Sequence, residues 1–160
     1  MEATDLFGQT VHMVSIRSAQ PDDAEALTSL IAESFTQYIE RIGTTPAPMS
    51  TDYSALIDTG SVWVAEDSGL VIGTIVLTPQ DGHLLLDNLA VSPTARGLGL
   101  GVLLLDWAAQ HARTLGLAEL RLYTNEAMTE NLTFYPRRGF VETHRATVNG
   151  YRRVFYSKQL

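Results

Sequence analysis

Residues 96–101 read Arg-Gly-Leu-Gly-Leu-Gly and run straight into Val102–Ala112, a mostly apolar stretch of helical character. Glycine is the poorest helix former after proline, so three glycines against a helix start must serve another purpose. A helix N-terminus leaves its first amides without partners and carries about half a positive charge. Glycines ahead of it permit positive φ and remove the Cβ atoms that would hold a ligand away. Gly97, Gly99 and Gly101 bracket the entry and Arg96 adds a cation, which suits a phosphate or pyrophosphate. Charge-assisted bonds from several such amides contribute roughly 1.5–3 kcal/mol each before ordering costs.

The kind of phosphate carrier is narrowed by what is missing. No Gly-Lys-Ser/Thr follows at the spacing of a nucleoside-triphosphate loop. A dinucleotide fingerprint needs a third glycine, but counting from Gly97 it falls on Val102 and from Gly99 on Leu104. Glu119 does stand about twenty residues on, where that fingerprint wants an acid, so the nucleotide reading stays open at this point.

The elements around the loop follow from pattern. Residues 13–19 alternate as a strand, and 20–43 carry helix start signals, a stripe of Leu27, Leu30, Ile31, Phe35, Tyr38, Ile39 and Ile42, and Gly43 as a stop. A proline-punctuated loop, 44–53, leads to a short second helix at 52–58. Three strands follow at 61–66, 70–78 and 83–91, then the helix from Gly101 to about Leu115, and a strand at 118–124. A helix at 129–138 precedes two strands, 139–148 and 151–160, joined by Asn149-Gly150, a strong hairpin signal. Antiparallel hairpins therefore flank one parallel crossover, from 83–91 to 118–124. The expectation is a single α/β (α+β) domain over residues 13–160, with 1–12 as a flexible extension.

Composition bounds the partners. The chain has 160 residues, 45% of them hydrophobic, enough to bury a core as one domain. A net charge of −7 argues against nucleic acid, whose phosphates need clustered Lys and Arg. No apolar run approaches the ~18 residues of a membrane span, and the first residues lack a basic, apolar leader pattern. With no cysteine there is no disulfide, thiolate metal site or cysteine nucleophile, and a cytoplasmic location without metal is expected.

Two segments together decide among phosphate carriers. "LDNLAVSPTARGLGLGVLLLDWAAQHARTLG" and "LRLYTNEAMTENLTFYPRRGF" resemble the GNAT superfamily of acyl-CoA-dependent N-acyltransferases. The first matches a strand-end L-x-V-x-P followed by R/Q-x-x-G-x-G, here Leu89, Val91, Pro93, Arg96, Gly99 and Gly101. The second matches Asn131, Phe134, Tyr135, Gly139 and Phe140, and the likeness covers about residues 13–158. The family fold is a mixed sheet of about seven strands flanked by about four helices, with splayed fourth and fifth strands.

The resemblance implies roles. The amides of Arg96, Gly97, Leu98, Gly99, Leu100, Gly101 and Val102 would cradle the pyrophosphate of acetyl-CoA. Leu89, Ala90 and Val91 would pair with its pantetheine arm as an added strand, and Asn131 would contact that arm or act as a turn residue. Tyr135 matches the general acid for the departing thiolate, its phenol holding a proton at neutral pH. Pro136 departs from the pattern and is expected to bend or end the helix at Tyr135. Asp87, within an apolar run beside the thioester, is the first candidate base, ahead of His83 and Glu126. Tyr38, Arg41, Met49 and Tyr53, with Thr124 and Asn125, are the candidates around the acceptor, Arg41 for a carboxylate. His111 and His144 are expected to be structural. The expected activity is direct acetyl transfer to a primary amine, of a small molecule before a protein, by a chain that pairs as a homodimer. The rivals are a non-catalytic acyl-CoA-binding module and a nucleotide-dependent oxidoreductase.

Overall fold

The computed structural model describes residues 14–160 and, ahead of them, only a backbone pairing of Ala3–Thr4 with Thr10–Val11. The extension expected over 1–12 and the boundary at 13 otherwise lie outside the described residues. Seven strands form one sheet: β1 (Val14–Ser18), β2 (Val62–Asp67), β3 (Leu70–Pro79), β4 (Leu84–Val91), β5 (Glu119–Asn125), β6 (Val141–Val148) and β7 (Tyr151–Gln159). Their order across the sheet is β1-β2-β3-β4-β5-β7-β6, and β4–β5 is the one parallel neighbour pair. Five helices accompany them: α1 (Ala24–Phe35), α2 (Tyr38–Ile42), α3 (Tyr53–Asp58), α4 (Leu100–Thr114) and α5 (Asn131–Arg137). Among the described residues no helix is long and apolar enough to cross a membrane.

The sheet is a layer between two cores. On one face α4 buries Leu100, Leu104, Leu105, Ala108 and Ala112 against Leu84, Leu86, Leu120 and Leu122. The small residues at 108 and 112 let the helix lie close to the strands. On the other face α1 and α3 bury Leu27, Leu30, Ile31 and Ile57 over Val62, Val64 and Val76. Each fully buried Leu, Ile or Val contributes roughly 1.5–3 kcal/mol. The second face is covered only in part. β5 and β7 turn Leu120, Leu122, Val154 and Tyr156 into the α4 core, so alternation puts Arg121, Tyr123, Arg153 and Phe155 on the opposite side of the sheet.

Two helical expectations are corrected. The stripe over 20–43 does not make one helix: the helix breaks at Thr36–Gln37, so five helices form where about four were expected. Past the break Ile39 N–H bonds back only as far as Thr36 O, at 3.2 Å, among the described residues. The break leaves the Ser34 carbonyl to a different donor, Arg96, whose Nη2 reaches it at 3.2 Å. Pro136 does not end α5 at Tyr135. The helix runs on to Arg137 and closes with Arg138 and Phe140 amides both donating to Tyr135 O. Proline is tolerated because it sits in the last turn of a seven-residue helix, where one lost amide costs a single bond. The Asn149-Gly150 hairpin forms as expected, both residues at positive φ.

One ion-pair cluster pins the start of α1. Arg17 on β1 forks to Asp23, at 2.8 and 3.0 Å, and reaches Glu66 on β2 at 3.0 Å; the Gln20 amide also donates to Asp23, at 2.7 Å. The Arg17 bonds, aided by the Gln20 amide, hold the buried Asp23 carboxyl below its ordinary pKa. A depressed carboxylate stabilises the fold above its unfolded pKa, and that contribution is lost as pH falls through the lower, folded value. Asp23→Asn is expected to cost about 1–2 kcal/mol at pH 7 after allowing for the half-exposed arginine. It should also narrow the stability gap between pH 7 and pH 3 in denaturant unfolding.

Candidate active site

The opening in the sheet begins at one residue. Val76 pairs with Asn88 and Leu77 with Leu86, so Asp87 has no partner on β3 and forms a bulge. The parallel ladder to β5 stops at Leu86–Leu122, immediately before it. Beyond that point β4 continues to Val91 and β5 to Asn125 without pairing, and the strands part. A bulge bends its strand and ends pairing locally. It also resets the alternation. Leu84 and Leu86 face the α4 core, and past Asp87 it is Leu89 and Val91 that pack there while Ala90 turns to the α1 core.

Directly after this strand comes the glycine loop. Gly97 and Gly99 have φ of +81° and +79°, the left-handed region that side chains resist, and a Cβ on either would meet nothing within 4 Å. The constraint at these positions is backbone conformation, and the space in front of them is open. Gly99 caps α4, whose first bond is Leu103 N–H to Gly99 O. Among the described residues, the amides of Arg96 to Val102 make no hydrogen bond. The Arg96 side chain, by contrast, is occupied: besides Ser34 O, it donates to the Gln37 side-chain oxygen at 3.0 and 3.2 Å with that amide turned to face it. It bolts the loop to α1 rather than standing free as a cation.

Two cavities meet at the parted strands and share Phe35, Leu89, Met128, Asn131 and Tyr135 in their walls. The first lies toward α2 and is lined by Tyr38, Arg41, Ala90, Val91, Arg96 and Glu130. The second lies toward β7 and is lined by Asp87, Asn88, Tyr123, Asn125, Tyr151 and Arg153. Tyr53 borders a third hollow that adjoins the second at Asp87 and Asn88.

Tyr135 stands where the two cavities join. Its ring is buried edge-on against Phe134 and Phe140, and its hydroxyl has no protein hydrogen bond among the described residues. Burial first, then Tyr156 and Tyr38, pushes its pKa above the ordinary phenol value. It is a phenol at any physiological pH. Asn131 Nδ2 donates to Thr124 Oγ1 at 2.9 Å, tying the start of α5 across to the end of β5. Asp87 accepts from Thr78 Oγ1 at 2.9 Å and from Tyr123 Oη at 3.3 Å. Burial, then the nearby Asp87 charge, raises the Tyr123 pKa.

The remaining candidates divide. Arg41 pairs with Glu130 at 2.6 Å, donates to Ala127 O at 3.4 Å, and lies over the Tyr38 ring at 4.9 Å. Tyr38 and Arg41 therefore form a clasp over the α2-side cavity, apart from Asp87. Tyr53 is buried, donates to Pro48 O at 3.1 Å, and has its pKa pushed up to about 12 by burial. Asn125 accepts from the Ala127 amide at 2.9 Å, and Met49 packs into the α1 core. His83 and Glu126 line neither of the two joined cavities. His111 stacks on Trp107 and His144 on Phe155.

Pattern reading missed Tyr123, Glu130 and Arg153. Alternation along 118–124 and 151–160 could have placed Tyr123 and Arg153 on one face. That this face borders the cavity holding Asp87 is a tertiary fact.

Residues 58–142, more than half of the chain, match the family model described as an acetyltransferase (GNAT) domain. Mouse probable N-acetyltransferase family 8 member 5 is 33% identical over 124 residues, covering 73% of this chain and 54% of that protein. The chain thus spans about half the length of that relative. Peptidyl-lysine N-acetyltransferase YjaB of Salmonella typhimurium is 27% identical over 139 residues, covering 86% of this chain and 90% of its own. In shape, the chain is similar to PaiA N-acetyltransferase from Thermoplasma acidophilum, solved in complex with coenzyme A. The TM-score is 0.76 at 20% identity, covering 92% of this chain and 99% of that one. The parted β4 and β5 and the glycine-led α4 both lie inside the stretch that the family model matches, and the chain belongs to the GNAT acetyltransferase family.

Proposed function

We propose that this chain transfers the acetyl group of acetyl-CoA directly to a primary amine of a small molecule. The observation that carries the reading is the junction of two cavities at Tyr135, one bordered by Arg96 at the head of the glycine loop, the other by Asp87. Two substrates entering from opposite sides would meet there. The amides and positive-φ glycines suit a pyrophosphate, and the parted edge at Leu89 and Ala90 suits an amide-bearing arm. The Val91 carbonyl is already used by Ser34 Oγ, at 3.1 Å.

Acetyl-CoA supplies an activated thioester, so the protein has protons to manage. An ammonium of pKa about 10.4 is neutral in a small fraction at pH 7, a handicap of about 4–5 kcal/mol. Asp87, held by two hydroxyls, is positioned to take that proton. Tyr135 keeps a proton for the departing sulfur. With unshifted values of about 10 and ~8.5, the transfer costs about 2 kcal/mol, and the burial that raises the phenol raises the thiol too. As the C–S bond gives way to a C–N bond, the ammonium sheds two protons. One leaves through Asp87 to solvent and the other balances the one that sulfur gains.

A small acceptor is favoured by the roof of the β7-side cavity. The 46–48 segment closes over it, anchored by Tyr151 Oη to Thr45 O at 2.6 Å and Tyr53 Oη to Pro48 O. Saturating acetyl-CoA, at about 100 times its Kd, is expected to add about 2.7 kcal/mol and raise Tm by roughly 5–10 °C. Nicotinamide dinucleotides should leave Tm in place, and thiol release over an amine panel should identify acceptors. Stabilisation by the dinucleotides instead would overturn the reading.

A further inference from the structure

One arginine in the β7-side cavity has no acceptor among the described residues. Arg17, Arg41, Arg121, Arg145 and Arg152 all pair with carboxylates. Arg153 is half-buried, and among the described residues it has neither an ion pair nor a hydrogen bond. Its guanidinium lies 4.2 Å from the Tyr123 ring centre and 5.9 Å from that of Tyr151.

Both rings are themselves anchored, Tyr123 by its hydroxyl to Asp87 and Tyr151 by its hydroxyl to Thr45 O. The guanidinium thus lies against two anchored rings, and among the described residues its N–H groups have no protein acceptor. A planar fork of donors in that state matches a carboxylate in two-point fashion, which a lysine could not reproduce. A half-buried guanidinium without a protein acceptor favours a ligand that supplies one over a ligand that does not.

The same cavity holds an opposite charge. Asp87 lies at the hydroxyl end of the tyrosine whose face carries Arg153. The two charges thus meet the same tyrosine, one at its ring face and the other at its hydroxyl. We infer that the acceptor is a small amino acid, its carboxylate gripped by Arg153 and its amine directed to Asp87. The inference deepens the proposed function and rests on it. It moves carboxylate recognition from Arg41, which Glu130 neutralises, to Arg153 on β7. A carboxylate bound the other way round would face Asp87, so the pair also sets the orientation.

The test compares matched acceptors: short α-, β- and ω-amino acids, and the same amines with the carboxylate replaced by a methyl group or a carboxamide. Thiol release gives kcat/KM for each, with wild type, Arg153→Gln and Arg153→Lys. Thermal shift with acetyl-CoA reports in parallel on folding and on the carrier site. The expected result is a wild-type preference for the best acid over its uncharged twin of about 10- to 100-fold, nearly abolished in Arg153→Gln and partly kept in Arg153→Lys. The loss should appear mainly in KM, with the acetyl-CoA shift retained. Equal use of acid and uncharged amine by wild type overturns the inference while leaving the acetyltransferase reading intact. So does a preference that survives Arg153→Gln. Absence of any acetyl-CoA shift in wild type overturns that reading, and the inference with it.

Discussion

Tyr135→Phe is expected to lower kcat by about 10²–10³-fold, within the usual range for a positioned acid, while acetyl-CoA affinity changes less than about twofold. The structure makes this substitution unusually clean. The ring is wedged against Phe134, Phe140 and Tyr156, and those contacts survive in phenylalanine. The hydroxyl has no protein partner among the described residues, so removing it orphans nothing. Tm should therefore stay within a degree or two of wild type. A turnover loss at constant Tm and constant acetyl-CoA shift isolates the proton donor. Unchanged turnover would remove Tyr135 from that role and leave the reading to rest on binding alone.

Asp87→Asn should cost about 10²-fold in kcat/KM at pH 7, and its signature is the dependence on pH. A base is needed because the amine is protonated. As pH climbs toward the amine pKa, the neutral fraction grows on its own and the need for a base fades. The gap between wild type and variant should accordingly close by most of its size between pH 7 and pH 9.5. Asparagine can still meet Thr78 and Tyr123, so the bulge and Tm should survive. A constant gap across that range would mean Asp87 only positions Tyr123, and that the amine loses its proton to water. The two variants also part company: Tyr135→Phe acts on the leaving side and should not share this convergence.

How far the residues themselves announced this arrangement varies by element. The glycine loop was legible because its requirement is local: positive φ at Gly97 and Gly99 is a property of the backbone there. The one parallel crossover was legible too, since hydrophobic period and turn signals carry it. The break at Thr36–Gln37 was not, because the apolar stripe runs on through Tyr38, Ile39 and Ile42 as if one helix continued. At the break the Ser34 carbonyl is taken by Arg96, 62 residues away in sequence. Pro136 misled in the opposite direction. Local propensity favours an end at Tyr135, but in so short a helix the lost bond weighs less than the packing of the Tyr135 ring.

The sequence by itself determined the family-bearing motifs, the alternating strands, the phosphate-ready loop and the identity of Tyr135, Asp87 and Asn131. Each depends on residue type and near spacing. Only the tertiary structure decided which charges are free and which are taken. Arg41 and Arg96 looked like ligand cations and are consumed by Glu130, Ser34 and Gln37, whereas Arg153 has no acceptor among the described residues. The physical reason is that satisfaction of a donor is a property of its surroundings. Those are assembled from β5, β7 and the 44–50 loop only when the chain has folded.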